Sequence, residues 1–406
     1  MNENAPRWYE PVFPPPPSYF AWPFIAFAAA GEALAAQANE VARALSAASA
    51  EAGRSPKFAW SAPNHVRLDM STMELRDFSR APEGVPTLIC APFALHDATI
   101  ADLAPGHSLV DALACNGCHR LFVTDWRPAS ADMRLLTIDS YLADLNVAVD
   151  ELGAPVDLVG LCQGGWMALA YAARFPAKVR KLVLAGAPID TDVGVSRIST
   201  AAHSLPLSVF DELARLGDGR VLGHRAIDLW EPALQANDAL AALQVQPCEQ
   251  SGKEQLLERF RAWSDSTVDL PGAFFHQVVL WLFKENRLAR GRFTALGRQI
   301  DLVDVRHPLF LLVAEGDAVV PPEQLLAVRR LVGTSPADIE SAIEPGGHLS
   351  LFIGADTLHG AWARIARWLA QPHGRDLGDG MIAATPVPSS RPPSEGVARP
   401  DDAASG

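Results

Sequence analysis

Six short apolar runs constrain this chain more than any other feature. They are Pro86 to Pro92 (PTLICAP), Leu121 to Asp125 (LFVTD), Val156 to Gly160 (VDLVG), Lys181 to Ala185 (KLVLA), Leu309 to Val313 (LFLLV) and Ile339 to Ile343. Most are continuously apolar rather than alternating, and all are too short for core helices. Such runs read as strands buried on both faces. Segments with helical spacing lie between them. Ser108 to Ala114 is one. Ile138 to Leu152 carries apolar residues at 138, 141, 142, 145 and 149, and Gly164 to Phe175 is a third. Pro322 to Leu331 and Leu358 to Leu369 follow the later strands, and Leu68 to Phe78 precedes them all as a strand or hairpin. Strands separated by helices predict an α/β fold: a mostly parallel sheet with helices on both faces. The stretch from about 190 to 290 breaks this rhythm. It is mostly helical, holds Trp230, Trp263 and Trp281, and reads as a helical cap inserted between two strands of the sheet.

The two ends differ from the middle. Residues 1–65 begin with Pro14 to Pro17 set among Trp8, Tyr9, Phe13, Tyr19 and Phe20, which favours an extended segment. An Ala-rich helix is expected over 24–50. Residues 371–406 turn to Pro, Ser, Gly and Asp and are expected to be disordered. Over the whole chain 49% of residues are apolar and 20% charged, ample for a large core between those ends. The net charge is −13, from 34 Lys and Arg against 47 Asp and Glu. So acidic a chain is a poor nucleic-acid binder, because phosphate contacts need clustered cations. No apolar run reaches the ~18 residues of a membrane span. Tyr19 to Gly31 is shorter, contains Pro23, and has no basic segment before it. No transmembrane segment and no secretory signal are expected. The five cysteines (Cys90, Cys115, Cys118, Cys162 and Cys248) are odd in number and sparse. That argues against a disulfide scaffold and for a reducing, cytoplasmic setting.

The sharpest local signal is Gly160-Leu161-Cys162-Gln163-Gly164-Gly165, which follows one strand and opens a helix. This is the G-x-S-x-G nucleophile elbow with Cys in place of Ser. The nucleophile of such an elbow sits on a strained turn, so the residues two before and two after must be small. Gly160 and Gly164 meet that demand. The helix that begins there aims free N–H groups at the sulfur, which favours a thiolate and an oxyanion. The backbone N–H of Gln163 is the expected first oxyanion donor. The second is expected from the loop after strand 86–92, near Ala94 and Leu95. Against this, free cysteines are commonly buried and inert, and a G-x-C-x-G string alone does not decide.

Partners decide more. Asp317 follows the strand LFLLV in Ala314-Glu315-Gly316-Asp317, and His348 follows the last strand in Glu344-Pro345-Gly346-Gly347-His348. Cys162, Asp317 and His348 therefore fall at the carboxyl ends of three strands, in the order nucleophile, acid, histidine. His348 would take the thiol proton and Asp317 would hold the imidazole tautomer. Asp317 alone would also suit a turn, and Glu315 and Asp304 are rivals nearby. His276, His307 and His359 read as packing or surface residues.

From about residue 66 to 356 the ordered motifs resemble the polyhydroxyalkanoate synthases, most of all the catalytic subunit of the class III enzymes. The residues that carry the likeness are Met73 to Phe78 (MELRDF), Asp102-Leu103 with Ser108-Leu109-Val110, Thr124-Asp125-Trp126, and Gly160 to Gly165 (GLCQGG). Further on come Pro188-Ile189-Asp190, Glu285-Asn286-Arg287-Leu288 with Gly291, Ile300-Asp301-Leu302, Asp317 to Pro322, and Pro345 to His348. The resemblance implies an α/β-hydrolase catalytic domain over 66–370 with its cap at about 190–290. It implies an acyltransferase that polymerises (R)-3-hydroxyacyl-CoA through a Cys-bound acyl group and releases CoA. It implies no metal or bound cofactor, a possible second synthase subunit, a possible homodimer, and a place in the cytoplasm or on the polyester granule. The chain departs from the family at His96-Asp97, where an Asn and a basic residue are usual. That loop borders the oxyanion hole, so His96 and Asp97 are candidates for the substrate pocket. Gly186 to Thr191 (GAPIDT) and Thr124 to Arg127 (TDWR) also resemble intracellular polyhydroxyalkanoate depolymerases. A hydrolase or thioesterase using the same three residues is therefore the alternative.

Cys115-Asn116-Gly117-Cys118-His119 matches the c-type haem attachment string. Attachment needs an exported chain, and Asn116-Gly117 suits a turn between a helix and a strand. The string is read as that turn.

Overall fold

A computed structural model describes residues 58–230, 241–244 and 252–372. The aromatic segment and Ala-rich helix expected before residue 58, and most of the tail expected after 370, lie outside the described residues.

Eight strands form one sheet. In chain order they are β1 (His65–Asp69), β2 (Met73–Asp77), β3 (Thr87–Cys90), β4 (Leu121–Trp126), β5 (Val156–Leu161), β6 (Val179–Ala185), β7 (Leu309–Ala314) and β8 (Ile339–Glu344). Their order across the sheet is β1-β2-β4-β3-β5-β6-β7-β8. Only β2 runs antiparallel to its neighbours, and the other pairs are parallel. The hairpin expected over Leu68 to Phe78 is the β1–β2 pair.

Side chains along the central strands alternate between two cores, as the period of two requires. Leu88, Leu158, Leu182 and Leu311 face one, and Ile89, Val159, Val183 and Phe310 the other. Helices α2 (Ile138–Leu152) and α3 (Gln163–Arg174) cover the first face. Helix α1 (Leu109–Cys115) and the closing turns from Leu358 onward cover the second. Helix α2 keeps the bounds its periodicity gives. It buries Ile138, Tyr141, Leu142, Leu145, Val149 and Leu152 and stops at Gly153, whose φ is +81°. Helix α3 is buried from Gly164 to Ala173 and so carries no polar face.

Buried charge in the sheet is paired. Asp157 accepts two bonds from Arg180, at 2.8 and 2.5 Å, and Lys181 donates to the Trp368 carbonyl at 2.5 Å. These side chains tie the final helix to the sheet.

Among the described residues between β6 and β7 the chain is mostly helical: α4 (Arg197–Ser204), α5 (Leu207–Leu216), α6 (Gly223–Trp230), α7 (Lys253–Asp265) and α8 (Gly272–Gln277), which runs on as a wider turn over Val278–Lys284. Phe210, Leu213, Phe274 and Phe275 from this layer share the core of the first sheet face. The helix expected over Pro322 to Leu331 is α-helical only through Leu326, and Ala327–Arg330 tightens to a 3₁₀ turn. Among the described residues no helix is long and apolar enough to cross a membrane.

Candidate active site

Cys162 sits between β5 and α3 with φ +47° and ψ −117°, a conformation that costs energy for a residue with a Cβ. The local sequence explains how it is held. A Cβ on Gly164 would lie 2.1 Å from the Cys90 carbonyl oxygen, and one on Gly160 would lie 2.5 Å from the Gly165 Cα. A larger residue at 164 would push the elbow off the end of β3, and one at 160 would push α3 off β5. The Cys162 N–H donates to the Ala185 carbonyl at 2.9 Å, which fastens the turn to β6. Gln163 is the first residue of α3, so its N–H has no acceptor within the helix. Its side-chain oxygen accepts from the Trp166 indole at 2.5 Å.

Asp317 and His348 arrive on two loops that extend the β7–β8 pairing. Glu315 N donates to the Glu344 carbonyl and Gly316 N to the Gly346 carbonyl, both at 2.9 Å. His348 Nδ1 lies 2.7 Å from Asp317 Oδ2, and both residues are buried. The other carboxylate oxygen, Oδ1, accepts from Val319 N at 2.9 Å and Val320 N at 2.8 Å, so Asp317 is fixed on both sides. Glu315 and Asp304, the rival acids, are exposed. His307 is spent on the Pro176 carbonyl and His276 on Asp211, and His359 is exposed.

The His348 ring and the Cys162 sulfur face the same cavity. Burial works against a charged ring there. The Asp317 carboxylate and the Cys162 sulfur outweigh it and hold His348 well above its ordinary value of 6.5. Gly186, with φ +53°, leaves the ring its space: a Cβ there would lie 3.1 Å from His348 Cε1.

A cavity of about 120 Å³ opens on these residues. Cys162, Gln163 and His348 line it together with Ala94, Leu95, His96 and Asp97, so every site residue expected from the sequence except Asp317 borders one space. Asp317 stands behind His348. The remaining wall is apolar, with Ile100 and Phe352 from the core and Ile198, Leu270, Phe274, Phe275, Val278, Val279 and Phe283 from the cap.

The two departing residues have defined places. Asp97 turns its carboxylate onto Thr99 N at 2.9 Å and caps the turn Ala98–Ala101. His96 stacks on Trp263, ring centroids 4.7 Å apart. Trp263 was visible in the sequence only as one of three cap tryptophans. Its signal was the spacing Leu256, Phe260, Trp263 on an otherwise charged helix.

The remaining motifs turn out to be joints. The Thr124 hydroxyl accepts from Ala91 N at 3.0 Å, and the Trp126 indole donates to the Ala91 carbonyl at 2.9 Å. Asn286 donates to Asp190 at 2.7 Å, and the Thr191 hydroxyl to the Leu282 carbonyl at 2.7 Å, which locks the end of the cap onto the sheet. Asp102 accepts from Ser61 N and Ala62 N, both at 2.7 Å. Its burial raises its pKa, against these bonds. The Cys115 and Cys118 thiols lie in different surroundings. Cys115 is exposed beside Arg80, and Cys118 is buried, with its pKa pushed up to about 11 by that burial. Burial likewise raises Cys90 to about 12.

An alpha/beta hydrolase fold family model matches residues 101–355, more than half of the chain. The chain belongs to the alpha/beta hydrolase fold family. Within this fold family it is similar to poly(3-hydroxyalkanoate) polymerase subunits PhaC. It is 26% identical to that of Haloferax mediterranei over 325 residues, which cover 76% of this chain and 64% of the relative. It is 26% identical to that of Allochromatium vinosum over 297 residues, covering 71% and 82%. The match thus spans a little under two thirds of the Haloferax protein. Among solved structures, an alpha/beta hydrolase fold protein from Chitinophaga pinensis superposes with a TM-score of 0.48 at 16% identity, over 77% of this chain and 98% of that one.

Proposed function

We propose that this protein is an acyltransferase that builds polyhydroxyalkanoate from (R)-3-hydroxyacyl-CoA through an acyl group carried on Cys162. The observation that carries the reading is a cysteine on a strained elbow that lines one cavity with His348, whose ring is hydrogen-bonded to the buried Asp317. The similarity to poly(3-hydroxyalkanoate) polymerase subunits supports the substrate.

The chemistry runs in two halves. The Cys162 sulfur attacks the thioester carbonyl. A bond from carbon to the enzyme sulfur forms, the bond to the CoA sulfur breaks, and the His348 imidazolium supplies the proton that CoA leaves with. One thioester replaces another, so this half costs little. A 3-hydroxyl then attacks the acyl-enzyme carbonyl, His348 takes the hydroxyl proton, and the ester bond forms as the sulfur leaves. Asp317 fixes the ring tautomer throughout. The N–H groups of Gln163 and of Leu95 or Ala94 are the proposed oxyanion donors. No step calls on a metal or a bound cofactor. The cavity is smaller than the roughly 300 Å³ at which pockets for drug-sized ligands begin. A short acyl group is its proposed occupant, with the CoA moiety outside. A second synthase subunit, a homodimer and a granule surface belong to the same proposal.

The small cavity favours one second reading. It leaves little space beside Cys162 for a chain end, and water would need less. A hydrolase or thioesterase would then release the free hydroxy acid.

CoA release from (R)-3-hydroxybutyryl-CoA, with the product analysed for ester-linked polymer, separates the readings. Release with polymer is expected. Release with free hydroxy acid alone would select the hydrolase. Absence of release, even with a class III partner subunit added, would overturn acyl transfer from CoA.

A further inference from the structure

We propose that the oxyanion hole of this enzyme is completed by its cap, and that Trp263 is the positioning residue that makes the join. The proposal rests on the acyl-transfer reading and on Leu95 or Ala94 as an oxyanion donor.

The loop that carries those donors, residues 91–97, is held at two ends by two different layers. At its start, Thr124 and Trp126 of β4 bind both polar atoms of the Ala91 backbone. At its far end Asp97 is held in part by its own turn, through Thr99 N and Ile100 N, and the cap adds the long-range anchors. Val268 N donates to the Leu95 carbonyl at 2.7 Å. His96 pairs with Thr267 in an isolated antiparallel bridge. The Trp263 indole donates to the Asp97 carbonyl at 3.0 Å and lies against the His96 ring. Ala94 and Leu95 stand between the two sets of anchors.

The physical consequence concerns orientation. Each residue has only two soft torsions, so fixing the Leu95 carbonyl and residues 96–97 restrains the Leu95 backbone from the carboxyl side. An oxyanion donor acts only if it already points where charge will develop. With the cap unseated, the Cys162–His348–Asp317 geometry would persist, because its anchors lie in the elbow and the β7–β8 loops. The donor would lose its direction. Trp263 also lines the cavity, so the ring that fixes the loop meets the acyl group.

The test separates nucleophile from oxyanion. Alkylation of Cys162 by iodoacetamide needs the sulfur and His348 but no oxyanion hole. Acylation by p-nitrophenyl butyrate needs both: the carbon–sulfur bond forms, the ester carbon–oxygen bond breaks, and p-nitrophenolate leaves. Trp263→Phe keeps the ring and removes the indole donor. The expected result is a p-nitrophenolate burst slower by on the order of 10- to 100-fold, with KM little changed. The rate and pH profile of alkylation should match the wild type. Phe260→Leu, which loosens the same helix away from the cavity, should slow the burst far less. Equal bursts in wild type and Trp263→Phe would overturn the proposal. So would a parallel loss of alkylation, or an equal loss in Phe260→Leu, since either would make Trp263 a support of the cap alone. A wild-type protein that is alkylated but gives no burst would strike at the acyl-transfer reading itself.

Discussion

The elbow at Cys162 and the loop 91–97, proposed as nucleophile and oxyanion donor, line one small cavity and are made in different ways. The elbow is written in six consecutive residues. Gly164 lets it touch β3, Gly160 lets the start of α3 lie against β5, and its strain is borne within the turn and by the bond from Cys162 N to Ala185. The loop 91–97 contains no such device. Its shape comes from β4 at one end and, at the other, from the short turn that Asp97 caps together with residues 263–268, well over a hundred positions away in the chain. Local sequence builds the turn that carries the proposed nucleophile, and tertiary contacts help to aim the proposed oxyanion donor.

The strongest way to break this contrast is to strike where the two halves touch. Gly164→Ala would drive a methyl group into the Cys90 carbonyl, and main chain cannot move aside cheaply. A loss of about 3 kcal/mol or more is expected, with activity gone. Thermal unfolding measures it, and a variant as stable as the wild type would show that the elbow does not depend on that contact.

Asp317→Asn acts on the locally encoded half. Acylation should fall on the order of 10³-fold while the protein stays folded. The same variant tests the charge on His348. A raised folded pKa stabilises the protein below the unfolded value of 6.5, and that contribution is lost as pH rises through the folded pKa. The stability gap between wild type and Asp317→Asn should therefore be widest at and below about pH 6.5 and shrink steadily as pH rises from there toward the raised folded pKa. Denaturant titrations across that range check it. A gap that widens with rising pH would reverse the assignment.

Trp126→Phe acts on the loop from the sheet side. It removes the donor to Ala91 while keeping an aromatic ring against Phe93 and Tyr141. About 1 kcal/mol of stability and roughly tenfold in acylation are expected to go, with Cys162 alkylation spared. If alkylation falls as much as acylation, the two halves are not separable. Leu135→Ser, at a site 74% exposed, touches neither half. A change within about 0.5 kcal/mol and unaltered kinetics are expected.

The same contrast governs what the sequence revealed. The buried strands and helix α2 were legible because continuous or periodic apolar runs determine them with little help from elsewhere. Cys162, Asp317 and His348 were legible because each ends a strand, and the structure brings them together. The motifs Thr124-Asp125-Trp126 and Pro188-Ile189-Asp190 with Asn286 could be matched to a family but not explained. Their partners, Ala91 for the first and, for the second, Asp190 and Asn286 with each other, lie far off in the chain. The clamp of Trp263 and Thr267 on the loop was illegible for the same reason. Nothing within helix α7 says which loop its apolar face will meet. His96 and Asp97 stood out as departures, and their contacts give that departure a place: Asp97 caps a turn and His96 stacks on the cap.

The central claim is that Cys162 carries the acyl group, and a trapped intermediate tests it most directly. The protein would be mixed briefly with (R)-3-hydroxybutyryl-CoA, quenched in acid, and its intact mass and peptides read. The expected result is a gain of one hydroxybutyryl group on the peptide containing Cys162, absent from Cys162→Ala, which should also release no CoA. Acyl label on another residue, or undiminished CoA release by Cys162→Ala, would contradict it.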